Sequence, residues 1–220
     1  MATRIDRAQV VVAALRLLNE VGLEGLTLRR IAKELDVQAP ALYWHFKNKQ
    51  ELLDEMATEM FRRMDATLCA VDRSGWQVFM ADAAHVLRDA VLGYRDGAKV
   101  FSGTRFRGTD YAGPVDGLMA TLVEAGFPLP NAARAWFTVQ CFTMGHVIEQ
   151  QSVYPFPGGE RDPYYDEAQR AQRLEGHPLT ADAGQVFFSD LDAGFEAGLR
   201  AVIAGIEATL LPAPPALPAE

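Results

Sequence analysis

Residues 26–49 read Leu-Thr-Leu-Arg-Arg-Ile-Ala-Lys-Glu-Leu-Asp-Val-Gln-Ala-Pro-Ala-Leu-Tyr-Trp-His-Phe-Lys-Asn-Lys. The spacing predicts two short helices joined by a tight turn and followed by a third. In residues 27–35, Thr27 can cap the first helix, and Leu28, Ile31, Ala32 and Leu35 fall at the three-and-four spacing of a one-sided helix. Arg29, Arg30 and Lys33 are left on its outer side. After Asp36 and Val37, Gln38-Ala39-Pro40-Ala41 opens the second helix, with Pro40 in the first turn, where a missing N–H costs little. Asn48-Lys49-Gln50-Glu51 then starts a third helix, Asn48 capping it and Glu51 able to reach back to the Asn48 N–H. A helix presented in this way fits the major groove of DNA, its N-terminal side chains facing base edges and its flanks facing phosphates. Tyr43, His45, Lys47 and Lys49 are then placed for the DNA backbone, and the N–H groups opening the third helix add to the charge of Lys49. Tyr43, Trp44 and Phe46 admit a second reading as a core cluster beneath the turn.

Helical periodicity continues along the chain and strand-type alternation is almost absent, so the fold class is all-α. Residues 7–21 form a first helix through Val10, Ala13, Ala14, Leu17 and Leu18, with Gly22 ending it. Residues 49–64 carry Leu52, Leu53, Met56, Met60 and Phe61 and link two parts of the chain. Further helices are predicted over 76–94, 111–125, 131–151 and 185–210, with a glycine-broken connection at 97–108 and a long loop at 152–181 holding a short helix near 166–174. The organisation expected is a helix-turn-helix domain over 1–48, a linking helix and connection over 49–75, a larger helical domain for effector binding and dimerisation over 76–210, and a disordered Pro/Ala tail over 211–220. Gly194, Gly198 and Gly205 allow close helix contact on the last helix. The helices over 131–151 and 185–210 carry more apolar surface than one subunit needs, which a partner subunit would cover.

Composition narrows the function. The net charge is −8, an unpromising value for a DNA binder, but residues 1–50 hold 8 Lys/Arg against 5 Asp/Glu and residues 51–220 hold 13 against 24. A head of net +3 on a body of net −11 favours an oriented approach to phosphates. No apolar run is long enough to span a bilayer and the N-terminus lacks a signal-type apolar stretch, so a cytoplasmic protein without membrane contact is expected. Cys69 and Cys141 are far apart and read as small buried apolar residues, not as a disulfide or metal ligands. His45, His85, His146 and His177 are dispersed, and no phosphate loop or Cys/His cluster accompanies them, so the chain does not read as an enzyme.

Residues 7–64, and above all Leu-Tyr-Trp-His-Phe-Lys-Asn-Lys at 42–49, resemble the DNA-binding domain of the tetracycline-repressor (TetR) family of bacterial transcription regulators. Tyr94-Arg95-Asp96-Gly97-Ala98-Lys99-Val100, Gly103-Thr104-Arg105 and Phe142-Thr143-Met144-Gly145 with Glu149 are similar to its subgroup closest to the tetracycline-binding repressors. The resemblance implies a homodimer built on a four-helix interface, a palindromic operator in double-stranded DNA, and a small-molecule inducer. By position it implies operator contacts from Thr27, Arg29, Gln38, Ala39, Pro40, Ala41, Tyr43, His45 and Lys49. Ala39 and Ala41 replace a Gln and a Thr of the family's reading helix, leaving Arg29 and Gln38 as the base readers, for guanine and adenine respectively, with methyl contacts to thymine possible. A related but different operator follows.

The resemblance also locates an inducer site and marks its departures. The family's tetracycline-binding members coordinate drug-bound Mg²⁺ through a His whose position is Phe101 here. A second ring-contacting His is matched by Asp65 and a polar amide by Ala83, while Glu149 survives. No cofactor is therefore expected, and Mg-tetracycline is not the expected inducer. Leu87, Phe101, Phe106, Met119, Trp136, Phe137 and Met144 are the candidate apolar lining for a hydrophobic compound, with Asp65, Thr104, Arg105, Gln140, His146 and Glu149 as polar groups. Each aromatic has a simpler reading as core. His146 and Glu149, three apart on one helix, could hold a cation but better fit a pair at a dimer interface. Repression of a drug-export or other antibiotic-related gene is the expected role. A constitutive regulator, or one of a biosynthetic or catabolic operon, whose second domain mainly dimerises is the alternative.

Overall fold

The computed structural model describes residues 5–106 and 108–212, and among them there is no strand. The element order is α1 (Arg7–Gly25), α2 (Leu28–Glu34), α3 (Ala39–Tyr43), α4 (Lys49–Cys69), α5 (Trp76–Leu92), α6 (Gly97–Phe101), α7 (Ala112–Glu124), α8 (Leu129–Val153), a 3-10 turn (Pro163–Tyr165), α9 (Glu167–Arg173), α10 (Pro178–Ser189) and α11 (Leu191–Leu210). Asp6 starts α1 with a reciprocal cap, its carboxylate accepting the Gln9 N–H at 2.8 Å while Gln9 Oε1 accepts the Asp6 N–H at 3.0 Å. Gly22, at φ 69°, breaks helical geometry before a last turn ending at Gly25.

Two apolar cores share the molecule. The first is built on Leu15, Leu18, Ile31, Leu42, Phe46, Leu52 and Met56, and continues along α4 through Met60 and Phe61 to Leu87, Val91, Phe101 and Met144. The second holds Trp76, Phe79, Met80, Leu122, Phe127, Val139, Phe195 and Leu199, and Trp136 packs against both. α4 is thus buried against the N-terminal helices at one end and against α5 and α6 farther along. A displacement of the second core must reach the head through α4 or through direct contacts beside it, because close-packed side chains have no slack to absorb it.

Gly198 has a particular reason to be glycine. A Cβ there would lie 2.6 Å from the Phe142 ring, so this residue lets α11 pack on α8 within one chain. Gly205 meets nothing within 4 Å. It lies on an exposed stripe of small residues on α11 with Ala197, Ala201, Ala204 and Ala208.

Three expectations are corrected. The connection predicted over 97–108 contains α6, whose start is set by Asp96 in a left-handed conformation and not by the glycine that follows. The helix predicted over 185–210 is two helices meeting at Asp190, whose carboxylate accepts the Ala193 N–H at 2.9 Å and caps α11, while α10 begins at Pro178 inside the predicted loop. Cys69 and Cys141 are both exposed free thiols, because each falls on the outer side of its helix in the single chain. Of the tail expected over 211–220, residues 213–220 lie outside the described residues.

Candidate nucleic-acid interface and effector site

The head assembles as its caps and apolar spacing require. Thr27 Oγ1 accepts the Arg30 N–H at 3.2 Å and starts α2, leaving Arg29, Arg30 and Lys33 exposed. The turn into α3 passes through Asp36 at φ 52°, and the Val37 N–H closes it on the Ala32 carbonyl at 2.9 Å. In α3 only Leu42 is fully buried. Gln38, Pro40 and Tyr43 are exposed, while Ala39, Ala41 and His45 are half-buried. The Gln38 side chain makes no capping bond, which leaves its amide available to a base edge.

The core reading of Tyr43, Trp44 and Phe46 applies to one ring only. Phe46 is fully buried, Tyr43 is 55% exposed and Trp44 is 89% exposed. Leu42 and Phe46, four apart, define the inner face of this turn, so Trp44 between them must point out. That signal was present in the sequence, but Trp44 is not among the predicted contacts. Arg7 locks the segment from behind. Its Nη1 donates to the His45 carbonyl at 2.7 Å, its guanidinium pairs with Glu51 and Glu55, and it lies 4.4 Å from the centroid of the Phe46 ring.

Asn48 caps α4, its Oδ1 accepting the Glu51 N–H at 2.9 Å, and Glu51 Oε2 accepts the Lys47 N–H at 2.9 Å. The Lys49 side chain donates to the Leu23 carbonyl at 2.7 Å, at the end of α1. Arg29, Gln38, Tyr43, Trp44 and Lys49 together form an exposed polar and aromatic edge around α2 and α3.

The candidate effector residues divide into three groups. Leu87, Phe101, Phe106, Trp136 and Met144 come together in the first core. Phe106 is its hub, with ring centroids 5.0 Å from Phe61, 5.5 Å from Phe101 and 5.5 Å from Tyr111. Thr104 Oγ donates to the Phe101 carbonyl at 2.8 Å beside it. The exposed Arg105 contributes its backbone N–H to the buried Asp54 carboxylate at 3.1 Å, which also accepts from Gln50 at 2.9 Å. Met119 packs instead on the second core, and Asp65 lies near the end of α4, where it accepts from Cys69 Sγ at 3.6 Å. Phe137, 64% exposed, and Glu149 face outward from the single chain, and Gln140 is half-buried.

His146 bonds within its own chain. Its Nε2 lies 2.9 Å from the Leu191 carbonyl and its ring 5.2 Å from Phe195. Burial, with the charge of Arg88 adding to it, holds its pKa below the ordinary imidazole value, and because a carbonyl can only accept, Nε2 carries the proton in the bond to Leu191. Arg88 is buried, donates to Gln150 at 2.8 Å, pairs with Asp192 and lies over Phe195. A surface cleft of about 380 Å³ opens between α4 and α5 beside Met60, Met64, Val86 and Ala90, on a face that none of the candidate ligand residues lines.

A helix-turn-helix head, joined by one long helix to an all-helical second domain with its own core, defines a DNA-binding transcription regulator with an effector domain. The chain belongs to the tetracycline-repressor family: residues 10–56 match "Bacterial regulatory proteins, tetR family" and residues 70–210 match "Tetracyclin repressor-like, C-terminal domain". It is 38% identical over 205 residues to the tetracycline repressor protein class A from transposon 1721 of Escherichia coli, covering 93% of this chain and 91% of that protein. Among solved structures, it is similar to a possible TetR family transcriptional regulator from Streptomyces coelicolor A3(2), at 42% identity, 92% and 99% coverage and a TM-score of 0.78. It also resembles TetR(class A) in complex with 5a,6-anhydrotetracycline and magnesium, at 35% identity, 90% and 96% coverage and a TM-score of 0.64. The protein is thus a TetR-family regulator with a helix-turn-helix DNA-binding domain and a ligand-binding domain. Among the described residues, no helix is long and apolar enough to cross a membrane.

Proposed function

We propose that this protein is a repressor that binds a palindromic operator as a homodimer, is released by a hydrophobic, metal-free inducer, and controls an efflux or other antibiotic-related gene. The observation that carries the inducer's chemistry is Phe101. At the position where tetracycline-binding relatives place a metal-coordinating imidazole, this chain has a phenyl ring that is 5% exposed and packed on Phe106. A phenyl ring has no lone pair for Mg²⁺, so the donor set does not fit the metal-bound drug. Leu87, Met144 and Trp136 extend an apolar lining suited to a metal-free compound, and Thr104, Arg105 and Gln140 offer the few polar groups that fix orientation.

The homodimer reading is supported by what the single chain leaves uncovered. Phe137 and Cys141 on α8 and Ala197, Ala201, Ala204, Gly205 and Ala208 on α11 are exposed, and small residues let helices of a partner approach closely. Induction is then a population shift: the inducer acts only if it binds the DNA-incompetent dimer more tightly than the competent one. One observation favours a second reading, a constitutive, biosynthetic or catabolic regulator whose second domain mainly dimerises. The candidate rings Phe101 and Phe106 pack on each other at 5.5 Å, and Phe106 packs on Phe61 and Tyr111 at 5.0 and 5.5 Å, as core rings do.

Fluorescence anisotropy on the upstream intergenic DNA of the protein's own gene separates these. Release by hydrophobic antibiotics but not by Mg-tetracycline supports the proposal. Release by Mg-tetracycline overturns the metal-free inducer, and tight binding that no compound relieves favours the constitutive reading.

A further inference from the structure

The reading segment has little of its own to hold it. α3 is five residues long and makes no side-chain capping bond, and a helix of barely more than one turn does not offset its own nucleation cost. Beyond Tyr43 the chain runs outside any helix until Asn48 caps α4, and this stretch carries His45 and Lys47. Locally it is closed by the His45 and Phe46 N–H groups, which share the Leu42 carbonyl at 2.9 Å each.

α1 supplies a firmer hold through one side chain. Asp6 and Gln9 cap α1 reciprocally and so fix its first turn, where Arg7 stands. Arg7 Nη1 donates to the His45 carbonyl at 2.7 Å, and the guanidinium lies 4.4 Å from the centroid of the buried Phe46 ring, so the segment is gripped by backbone and side chain together. Nη2 lies 3.4 Å from Glu51 Oε1, and the other oxygen of that carboxylate accepts the Lys47 N–H at 2.9 Å. Nε donates to Glu55 Oε2 at 3.1 Å, one turn farther along α4. The Glu51 and Glu55 side chains are only 16% and 14% exposed. Fully exposed pairs would contribute little, but carboxylates this far removed from water attract a charged partner more strongly. The arrangement needs a planar fork whose N–H groups point three ways, which the point charge of an ammonium does not offer.

We propose that Arg7 is a positioning residue for operator reading: it fixes the orientation of Tyr43, His45 and Lys47 toward the duplex without contacting DNA itself. The role lies wholly within the head and rests on the DNA-binding reading above. A head whose reading segment is correctly held only part of the time binds its site with an affinity reduced by that fraction. Specific binding requires several groups to be aligned at once, whereas random DNA is bound mainly through charge. Loss of the fork should therefore fall on specific binding.

The test compares the full-length wild type with Arg7→Lys and Arg7→Met. Fluorescence anisotropy is read on a duplex from the upstream intergenic region and on a random duplex, across salt concentrations and at a temperature where circular dichroism shows each variant folded. Arg7→Lys keeps the charge and loses the fork. It should bind the intergenic duplex roughly tenfold more weakly, the size of one charge-assisted hydrogen bond. On the random duplex it should stay within about twofold of the wild type, with an unchanged salt slope. Without DNA, hydrogen exchange over 42–49 should rise roughly tenfold in both variants, and far less over 10–18 of α1. Wild-type affinity of Arg7→Lys for the intergenic duplex overturns the proposal, because charge alone then suffices. Equal losses on both duplexes for Arg7→Met, with the salt slope lowered by about one, overturn it in favour of a direct phosphate contact. Unchanged exchange over 42–49, or an equal rise over 10–18, overturns it as well. If Arg7→Met does not fold, Arg7→Lys decides. A wild type that prefers neither duplex counts against the operator reading, and the exchange without DNA then decides the role of Arg7 by itself.

Discussion

Gln151 offers a substitution whose effect can be worked from its bonds. Its side chain is 8% exposed and makes three hydrogen bonds, to the carbonyls of Tyr94 and Val91 and from the Ala98 N–H. Gln151→Met keeps nearly the same shape and removes every polar atom. The three bonds do not count equally. The Tyr94 carbonyl also accepts the Gly97 N–H at 2.9 Å and the Val91 carbonyl also accepts the Tyr94 N–H at 3.3 Å, so both keep a partner. The Ala98 N–H loses the partner it has and is left buried. An unsatisfied buried donor costs about 1–3 kcal/mol, so the expected loss is about 2 kcal/mol rather than three times that. For a chain of this size that corresponds to a fall in Tm of about 4–8 °C. Urea unfolding at fixed protein concentration, because the stability of the proposed dimer depends on it, should show a lower midpoint at unchanged slope. A loss below about 0.5 kcal/mol, the range of ordinary surface changes, would refute the view that this turn is held by Gln151.

Other outcomes follow from the head and its junction. Arg29→Ala should lose discrimination at one half-site position, while Lys49→Ala should weaken specific and random DNA alike and lower the salt slope by about one, read by anisotropy across salt concentrations. Equal losses on both duplexes for Arg29→Ala would remove its base-reading role. Trp44→Ala should weaken DNA binding while changing stability by no more than about 0.5 kcal/mol, since the ring is exposed; unaltered DNA affinity would exclude Trp44 from the interface. Asn48→Ala removes the cap of α4 and should cost about 1 kcal/mol in urea unfolding. Burial opposes the charged Asp96 carboxylate, but the Leu23 N–H, Lys99 and Arg95 outweigh it and hold the pKa below the usual carboxylate range. Its stabilisation is complete above the unfolded pKa and is lost as pH falls through the lower folded value. Below about pH 4, thermal unfolding should therefore show the wild type losing its advantage over Asp96→Asn.

What was legible in the sequence was local. Thr27 and Asn48 act as caps because a short side-chain oxygen reaches an N–H three residues ahead whatever the rest of the fold does. The turn at Asp36 and Val37 and the inner face made by Leu42 and Phe46 are likewise fixed by spacing within one or two turns. Trp44 admits two readings from sequence because an aromatic run carries strong apolar character, although its register between Leu42 and Phe46 sends it outward.

The misses share a cause. α6 and the junction at Asp190 depend on non-helical backbone at aspartates, left-handed at Asp96 and at φ −124°, ψ 75° at Asp190, which side-chain periodicity does not report. Their chemistry suggests burial for Cys141 and pocket lining or core for Phe137, but the side of α8 they occupy is decided by where α11 and α5 pack. The sequence by itself determined the helices of the head and the caps of α2 and α4, because those rest on contacts within a few residues. Only the tertiary structure decided that Asp96 meets Leu23 and that Gln151 holds the turn between them and α8. Those bonds join positions 73 and 57 residues apart, and a single chain carries no local signal for such pairs beyond a glycine at 22 whose missing side chain makes room for them.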